Sequence, residues 1–505
     1  MDAIVINPTP RHELSPYLYM QFAEPLGTAD SSIDAAWDFV KEQWHPRALE
    51  LVKQLSPTMI RWGGCISSYY HWREGVGPMP ERVPMHNICW EGMFLNHVGT
   101  AEIVELAESC SAEPLFCVNF ESDGSPLWTV PDQNRIGTAK EAAEWVRYCN
   151  DPDDALRISH GRKKPYSIKY WQIGNETGYD AKGFTSGQNA AKAKEFIAAM
   201  RRADPSLKLI VWGDGPNEEW RQNYDGGIYN RWARDVSEAV GDTADFVAFH
   251  NHFGGGPDYA ALHGTNYRKD PDVTWERLFA ATRDFEDRIR YMERSVAPYA
   301  KKLAMTEGHF ILNGRHRGDL LSSWYAGVAY ARCANILERH GDTVKIATLA
   351  DFMGNRWQNN AIMLPTPMWF NEPGYLLPVG TIMSLFSKNM GRFALDVQTP
   401  EGIDISASRT DDRIFLHIVN IDRTHSKPIS FDVKGFGNRP VSIREICRNP
   451  EEEISSMCPD LFKPHDVIPS DSYTLPPAAV AVMEFHADKT HPNQSLQNYS
   501  NYCSN

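Results

Sequence analysis

Residues 168–176 read Ile-Lys-Tyr-Trp-Gln-Ile-Gly-Asn-Glu, an apolar run that ends in the polar pair Asn175-Glu176. A short apolar run bounded by glycine is typical of a buried strand. A helix-length amphipathic stretch, 188–203, follows it, and another apolar run, 207–212, comes next. This strand–helix–strand order indicates a parallel sheet with helices on its faces. It places Asn175 and Glu176 at the carboxyl end of a strand.

The same rhythm extends from about residue 17 to about residue 350. The strand candidates are 17–24, 58–62, 114–120, 168–174, 207–212, 245–250, 302–306 and 344–349. Eight strands alternating with helices predict an α/β fold of the (β/α)₈ TIM-barrel type. In such barrels the active site lies at the carboxyl ends of the strands.

After residue 385 the pattern changes to short alternating runs punctuated by Pro, Gly and Asp, which predicts an antiparallel β-sandwich. The runs are 413–420, 429–433, 441–446 and 480–485. The apolar run Ile4-Val5-Ile6 precedes the first barrel strand and is expected to add a strand to that sandwich. We therefore predict a catalytic barrel at 13–385, a sandwich formed by 1–12 and 386–487, and a disordered tail at 488–505.

The composition excludes several classes of protein. The 505 residues contain 51 Lys and Arg against 65 Asp and Glu, and this acidic balance argues against nucleic acid or anionic membranes as partners. Nine cysteines show neither a CxxC pair nor the spacing of a disulfide framework, which indicates mostly reduced thiols. No apolar stretch at the N-terminus has the length of a signal or a membrane span. We expect a cytoplasmic protein.

A second carboxyl group is predicted on the same barrel rim as Glu176. The seventh strand candidate leads into Thr306-Glu307-Gly308-His309. Two carboxylates facing each other suffice for glycoside hydrolysis, in which one protonates the leaving oxygen and the other attacks the anomeric carbon. Like charges this close cannot both ionise comfortably, so one proton is expected to stay on Glu176 near neutral pH. The alternative is a pair of structural salt bridges, and the placement of both residues at strand ends favours catalysis.

Several segments in order along the barrel carry a resemblance to a known family. They are Gln21-Phe22-Ala23-Glu24 with Leu26-Gly27, Asn96-His97-Val98-Gly99-Thr100-Ala101-Glu102, Glu113-Pro114 with Cys117-Val118-Asn119, Ala143-Glu144-Trp145-Val146-Arg147-Tyr148-Cys149-Asn150, and Lys169-Tyr170-Trp171-Gln172-Ile173-Gly174-Asn175-Glu176. On these segments the chain resembles the retaining barrel glycosidases that place the acid/base after strand four and the nucleophile after strand seven. Among them it most resembles glycoside hydrolase family 51, the α-L-arabinofuranosidases.

The resemblance implies a role for each matching residue. Glu176 is then the general acid/base, Glu307 the nucleophile and Asn175 the donor to the sugar 2-hydroxyl. Glu24 would accept a bond from a sugar hydroxyl, and Trp90 lies in a loop that resembles the family's Trp-bearing loop. The implied activity is cleavage of a terminal α-L-arabinofuranoside through a covalent glycosyl-enzyme, with a carbohydrate as partner and no cofactor. The resemblance leaves a homo-oligomer open.

The chain departs from the family pattern around the sugar subsite. Arg61-Trp62-Gly63-Gly64-Cys65 has Cys65 where the family has an asparagine that holds the sugar. Phe249-His250-Asn251-His252 offers His252 in place of a tyrosine phenol, and Thr306-Glu307-Gly308-His309 differs on both sides of the glutamate. These changes favour a distant relative that acts on another furanoside or pyranoside, including endo-glucanase action, as an alternative.

The remaining candidate binding residues have two readings each. Arg61 either holds the nucleophile ionised or forms a structural salt bridge. Trp90, with Trp72 and Trp128, lies in loops that either stack on sugar rings or pack in the core. Asn355 follows the eighth strand, with Asp351 and Gln358 close by, and any of the three could contact the sugar.

His250 and His252 also permit a different class of enzyme. A His-x-His pair on a strand places both imidazoles on one face, as in metal-dependent barrel hydrolases, and Asp214 or Glu307 would complete the ligand set. The sequence contains no second HxH and no HExxH, which argues for a metal-free site. A catalytically silent sugar-binding protein is the non-enzyme alternative, and the placement of the two glutamates argues against it.

Overall fold

The computed structural model describes residues 2–120, 135–179, 184–215, 229–312, 320–365 and 373–487. The predicted tail at 488–505 and Trp128 lie outside these residues. The chain begins with a long strand, β1 (Asp2–Glu13), and then enters a parallel sheet. Strands of that sheet are β2 (Gln21–Ala23), β3 (Met59–Trp62), β4 (Glu113–Val118), β5 (Tyr170–Ile173), β6 (Lys208–Trp212), β7 (Phe246–Phe253), β8 (Lys302–Phe310) and β9 (Val344–Ala347). Each of the eight predicted strands has a counterpart here.

Helices connect successive strands of this sheet. In chain order they are α1 (Ser32–Ala36), α2 (Pro46–Leu55), α3 (Thr100–Cys110), α4 (Ala139–Asn150), α5 (Ala155–Ser159), α6 (Ser186–Ala203), α7 (Arg231–Val240), α8 (Pro271–Val296), α9 (Trp324–Arg339) and α10 (Pro378–Ser387). Their starts have local causes: the Thr138 side chain accepts from the Glu141 N–H at the start of α4, and Asp270 caps α8, which has Pro271 at its first position.

Two segments together occupy the eighth strand position of the sheet. Both lie beside the first strand, β2, and the residues that lead into it. The Ala347 N–H donates to Tyr17 O at 3.0 Å and the Met20 N–H donates to Ala347 O at 2.8 Å. Further along, β10 (Asp351–Gly354) pairs with β2 through Asp351 and Phe22. Beyond it, β11 (Asn360–Met363) and β12 (Tyr375–Leu376) extend the same sheet. The sequence pattern did not predict these extra strands.

One apolar cluster shows that the parallel sheet curls around a common centre. Every strand from β2 to β9 contributes a buried side chain to it. The members on these strands are Phe22, Met59, Leu115, Tyr170, Ile210, Trp212, Ala248, Ala304 and Ile346. Side chains of a flat sheet of eight strands would be spread over tens of ångströms, at about 4.8 Å per strand. The structure therefore has a barrel-like arrangement of strands, with their carboxyl ends at one mouth.

The remaining strands form a separate β-rich sheet. Its strands after β12 are β13 (Phe393–Gln398), β14 (Ile403–Arg409), β15 (Arg413–Asn420), β16 (Lys427–Val433), β17 (Ser442–Ile446), β18 (His465–Val467), β19 (Ser472–Leu475) and β20 (Val480–His486). The order in the sheet is β18-β17-β20-β15-β14-β13-β1-β16-β19, so β1 lies between β13 and β16.

This second sheet folds back on itself. The Phe431 and Phe485 rings, on β16 and β20, have centroids 5.2 Å apart although four strands separate them in the sheet. Strands that far apart in a flat sheet would lie roughly 24 Å from each other. The two ends of the sheet consequently face each other across one apolar core, to which Ile4 and Ile6 of β1 contribute.

Helix α9 joins the two sheets through buried polar contacts. Glu338 accepts hydrogen bonds from Tyr19, beside β2, and from Ser406 of β14, and His417 Nδ1 lies 3.0 Å from it. Arg339 donates to Asp404 at 2.9 Å. Such buried groups require partners, and these partners fix α9 against both sheets. Within the described residues, the helices lack the length and apolar character needed to cross a bilayer.

The His340–Glu286–Glu293 cluster between α8 and α9 makes stability depend on pH. Burial lowers the pKa of His340, but the hydrogen bonds that its ring nitrogens donate to Glu286 and Glu293 outweigh that effect and raise the pKa to about 9. A histidine whose pKa is raised on folding stabilises the fold fully below its unfolded pKa, and this contribution is lost as pH rises through about 9. We expect His340→Phe to reduce the free energy of unfolding by on the order of 2 kcal/mol at pH 6 and by much less at pH 9.5.

Urea denaturation at both pH values measures this difference. His486→Phe is the matched control, because His486 is 54% exposed and should contribute little at either pH. An equal cost of His340→Phe at pH 6 and pH 9.5 would contradict the assignment.

Candidate active site

Glu176 follows the end of β5 on a tight turn. Gly174 has φ +81° and Glu176 itself has φ +53°, in the left-handed region that a side chain rarely adopts. The Tyr179 N–H donates to Glu176 O at 2.9 Å and holds the turn. A residue in this region costs about 1–3 kcal/mol, a cost that is found most often at functional sites.

A β-bulge places Glu307. Strands β7 and β8 pair in register up to Phe249 and Met305, after which His250 pairs with Glu307, so Thr306 is an extra residue on β8. Successive side chains of a strand point to opposite faces, and the extra residue therefore changes which side chain stands beside His250. Without the bulge, Thr306 rather than Glu307 would occupy that position.

One imidazole bridges the two glutamates. His250 Nδ1 lies 2.8 Å from Glu176 Oε1 and 3.4 Å from Glu307 Oε2. The two carboxylate oxygens can be no farther apart than the sum of these distances, which is less than the roughly 6.5–9.5 Å typical of inverting glycosidases. His250 is buried, and that burial lowers its pKa, although the bond to Glu176 opposes the effect. The structure thus brings Glu176, Glu307 and His250 together, as their strand-end positions predicted.

Arg61 organises the same cluster from β3. Its side chain is fully buried, and its Nη1 donates to Glu307 Oε1 at 3.0 Å. Nη2 donates to Asn175 Oδ1 at 2.6 Å, and Nε donates to Gln172 Oε1 at 2.9 Å. Of the two readings of Arg61 from the sequence, the structure shows the contact with Glu307.

Burial controls the charge of these carboxyl groups. It raises the pKa of Glu307 well above its usual range, Glu176 raises it further, and the Arg61 guanidinium acts in the opposite direction. Two carboxyl groups so close titrate together, and the cation contact favours the negative charge on Glu307. The arrangement therefore suits a pair that retains a proton near neutral pH.

Glu24 lies beside this pair at the end of β2. Its Oε1 accepts hydrogen bonds from the Ile66 N–H at 2.9 Å and from Trp90 Nε1 at 3.1 Å. Burial raises the pKa of Glu24 to about 8. Gly64 makes room for it: Gly64 has φ +109°, and a Cβ there would meet Glu24 Oε2 at 2.2 Å. Trp90 is half-buried, and its ring packs edge-on against Trp357.

Cys65 lies close to Glu176, and His252 lies close to Glu307. The Cys65 thiol lies 3.6 Å from Glu176 Oε2, and a hydrogen bond with Cys89 and burial raise the pKa of the thiol, so it donates as S–H. His252 Nε2 lies 3.7 Å from Glu307 Oε2, and its ring centroid is 4.5 Å from that of His309. Both residues that depart from the family pattern thus contact one of the two carboxylates.

Two further candidates from the sequence, Asn355 and Trp72, make contacts with other parts of the protein. Asn355 follows β10, and its backbone N–H donates to Asp30 Oδ1 at 2.8 Å. Trp72 is buried and stacks on Trp145 with an interplanar angle of 3°, so of its two readings from the sequence the structure shows core packing. Such ring-on-ring contacts are typical of tryptophan side chains in protein cores.

Asp214, a candidate metal ligand from the sequence, is engaged elsewhere. Arg288 Nη2 donates to both of its oxygens, at 2.6 and 2.5 Å, and Asn230 donates to Oδ1 at 2.7 Å. Glu307, by contrast, lies together with His250 and His252, and one ligand atom from each lies within 4.8 Å of the others.

Three residues that contact Arg61 or His250 were not identified from the sequence. Gln172 accepts from Arg61, Thr306 lies 3.1 Å from His250 Nε2, and the Trp212 ring packs edge-on against the His250 ring at 4.6 Å. A polar Gln172 inside an otherwise apolar strand was the available signal. The other two depend on neighbouring strands and left no local signal.

Comparisons with known proteins agree with this geometry. Residues 51–296 match the family model of the alpha-L-arabinofuranosidase 1 domain, which includes Glu176 and ends before Glu307. A probable alpha-L-arabinofuranosidase C of Aspergillus fumigatus is 34% identical over 218 residues, 41% of this chain and 40% of the relative. An intracellular exo-alpha-(1->5)-L-arabinofuranosidase of Halalkalibacterium halodurans is 29% identical over 265 residues, 49% of this chain and 47% of the relative. The matches thus span less than half the length of these relatives.

The fold is similar to that of a solved structure over almost the whole chain. A crystal structure of alpha-L-arabinofuranosidase from Thermotoga maritima in complex with arabinose superposes with a TM-score of 0.73 and 22% identity. It covers 96% of this chain and 100% of that one. The likeness supports a barrel with a β-rich C-terminal region.

Removing Arg61 should lower the free energy of unfolding, because Glu307 would then be buried without the guanidinium that contacts it. Without the guanidinium the pKa of Glu307 rises further, and a carboxyl group whose pKa is raised on folding destabilises the fold increasingly as pH rises above its unfolded value. We expect Arg61→Met to cost about 3–5 kcal/mol near pH 8 and less near pH 5, as measured by chemical denaturation. Adding Glu307→Gln should recover part of the loss.

The matched control is Arg392→Met, which breaks an exposed ion pair with Glu13 at 2.8 Å. Such a pair contributes at most about 1 kcal/mol. A loss in Arg61→Met that is independent of pH would contradict the electrostatic account of this cluster.

Proposed function

This chain is related to the α-L-arabinofuranosidases of glycoside hydrolase family 51, and on that premise we propose that it is a retaining glycoside hydrolase that removes a terminal α-L-arabinofuranosyl group. The observation that carries the proposal is the meeting of Glu176 and Glu307, 131 positions apart in the sequence, at one nitrogen of His250.

The geometry supports a double displacement. Glu307 attacks the anomeric carbon while Glu176 donates its proton to the leaving oxygen, which gives a covalent glycosyl-enzyme. Water then attacks that carbon, the bond between the carbon and Glu307 breaks and releases the carboxylate, and Glu176 takes the water proton. Direct attack requires the two carboxyl groups to be about 5–5.5 Å apart, without room for a water between them. The approach of both glutamates to one imidazole nitrogen, at 2.8 and 3.4 Å, supports this short separation.

The electrostatic arrangement suits both steps. Burial and Glu176 raise the pKa of Glu307, and Arg61 acts in the opposite direction by favouring the negative charge that a nucleophile needs. The proposed mechanism assigns the proton that the pair retains to Glu176. Once Glu307 is esterified its charge is gone, so the repulsion that held the proton on Glu176 disappears. Glu176 can then act as a base toward water. Acid/base assistance of this kind contributes about 10²–10⁴-fold in rate.

The remaining polar groups at this mouth are proposed to bind the sugar. Asn175, oriented by Arg61, is placed to contact a hydroxyl next to the anomeric carbon, and Glu24 is placed to accept a bond from another. Trp90 offers an aromatic face beside Glu24. The other proposed binding residues are Arg61, Cys65, His250, His252 and Asn355.

The fold-level proposals follow from the same relationship. We propose a closed barrel at 13–385, a β-sandwich formed by 1–12 and 386–487, and a tail at 488–505. The hydrogen bonds of Ala347 with Tyr17 and Met20 support closure, and the contact of Phe431 with Phe485 supports the sandwich. The name of the Halalkalibacterium relative supports a cytoplasmic location.

A second candidate is hydrolysis of another furanoside or pyranoside by the same two glutamates. The observation that favours it is the position of Cys65, 3.6 Å from Glu176, because the residue at this position also borders the sugar subsite. A thiol is a weaker hydrogen-bond donor than an amide, so the subsite recognises its sugar differently.

Substrate identity is tested with nitrophenyl glycosides, furanosides and pyranosides together. We expect the highest kcat/KM on the α-L-arabinofuranoside, and no cleavage by Glu307→Gln. A pyranoside as the best substrate would transfer the proposal to the second candidate while keeping the two-glutamate mechanism.

The role of Glu176 is tested by varying the leaving group. We expect Glu176→Gln to lose about 10²–10⁴-fold in kcat/KM on substrates with poor leaving groups and far less on a dinitrophenyl glycoside, which needs no proton. Glu307→Gln should lose turnover on both. Glu108→Gln, on an exposed face of α3, is the matched control and should change neither. Equal losses of Glu176→Gln on both substrate types would refute its role as the acid.

A further inference from the structure

Two imidazoles and one carboxylate converge where the substrate's anomeric carbon would lie. We propose that His250, His252 and Glu307 bind a divalent transition-metal ion, of which Zn²⁺ is the best match, and that this ion inhibits the enzyme by competing with substrate. The inhibition rests on the proposed function, whereas the metal binding does not.

The distances among the ligand atoms fit a tetrahedral ion. Zn²⁺ binds nitrogen and oxygen at about 2.0–2.1 Å, and so neighbouring ligands of a tetrahedral site are about 3.3–3.4 Å apart. His250 Nδ1 is 3.4 Å from Glu307 Oε2, and His252 Nε2 is 3.7 Å from the same oxygen. All three ligand atoms lie within 4.8 Å of one another. The two spacings to Glu307 Oε2 thus lie within a few tenths of an ångström of the tetrahedral value, and an approach of the two imidazoles to each other would complete three of the four tetrahedral positions.

The surroundings also suit a metal ligand set. Burial lowers the pKa of His250, so its imidazole is neutral and offers a lone pair. With Nδ1 on the metal, Nε2 carries the proton and can donate to Thr306 Oγ1, 3.1 Å away, as the outer nitrogen of a metal-bound histidine usually does. His252 lies on the same face of β7, two residues on. Glu176 Oε1, 2.8 Å from His250 Nδ1, is near enough to supply a fourth ligand.

Charge favours the cation as well. Glu24, Glu176 and Glu307 surround the position, and Arg61 is the cation in contact with Glu307. A divalent ion there would offset the negative charge that Glu176 and Glu24 place beside Glu307. The ion would also occupy the lone pair with which Glu307 attacks carbon and would fill the gap between the two glutamates. Bound metal and bound substrate therefore exclude each other.

Metal binding is measured on the full chain without substrate. We expect isothermal titration with ZnCl₂ to give one site per chain, and Co²⁺ to give the visible bands of four-coordinate cobalt. His252→Phe should weaken Zn²⁺ binding more than about tenfold, since even the loss of an outer-shell partner costs 10–100-fold. His486→Phe, on an exposed histidine, is the matched control and should bind Zn²⁺ like the unchanged chain.

The outcomes separate this site from its alternatives. A thiolate-to-cobalt charge-transfer band would place the metal on Cys65 and Cys89 and overturn the proposal, as would equal Zn²⁺ affinity in His252→Phe. Because cobalt spectra are recorded on the unchanged chain, the test stands even if a variant fails to fold.

Kinetics then test the inhibition. Zn²⁺ should raise KM for a nitrophenyl glycoside without lowering kcat, and EDTA should restore full activity. Loss of activity in EDTA that Zn²⁺ restores would overturn the inhibitory role and make the metal catalytic. If no glycoside is cleaved at all, the proposed function fails while the titration still decides whether the metal site exists.

Discussion

The burial of Glu24 and Glu307 near one guanidinium, with Glu176 close by, is the constraint on which the proposed site depends. Arg61 donates hydrogen bonds to Glu307, Asn175 and Gln172. Glu24 accepts hydrogen bonds from the Ile66 N–H and from Trp90. With this single cation among them, burial raises the pKa of Glu307 and of Glu24. The charge of the cluster is consequently set by how many protons it holds. A site whose proton count changes near neutral pH is one that can exchange protons with a substrate.

The sequence predicted the elements whose cause is local. Apolar runs between helix-length segments identified each of the eight barrel strands to within a few residues, and β15 coincides with its predicted run at 413–420. The ends of β7 and β8 were placed too early, because both strands continue through His252 and Glu307 as a paired ladder. Their length depends on the partner strand, which a periodicity analysis of one segment does not include. The bulge at Thr306 has the same origin.

Among the site residues, those placed by strand topology could be predicted from the sequence, whereas those placed by packing across strands could not. Asn175 and Glu176 follow β5, Arg61 lies near the end of β3, and Glu307 lies in the carboxyl half of β8. The topology of parallel strands alone brings such residues to one mouth. The role of Trp72 stayed open because a tryptophan in a loop is equally suited to a rim or a core, and only its stacking on Trp145 decides between them. Gln172 and Thr306 act through Arg61 and His250, and such supporting contacts are set by packing across strands.

Cys65 shows how a departure from a family pattern can act on two parts of a site. By resemblance this position belongs to sugar binding, yet the thiol lies 3.6 Å from Glu176. Its pKa is raised, so it remains a neutral S–H donor beside the acid/base. A weak donor stabilises the ionised form of Glu176 less than an amide N–H would. Favouring the neutral acid strengthens proton donation and weakens proton abstraction. Under the proposed mechanism, this one position would therefore couple sugar recognition to the balance between the two chemical steps.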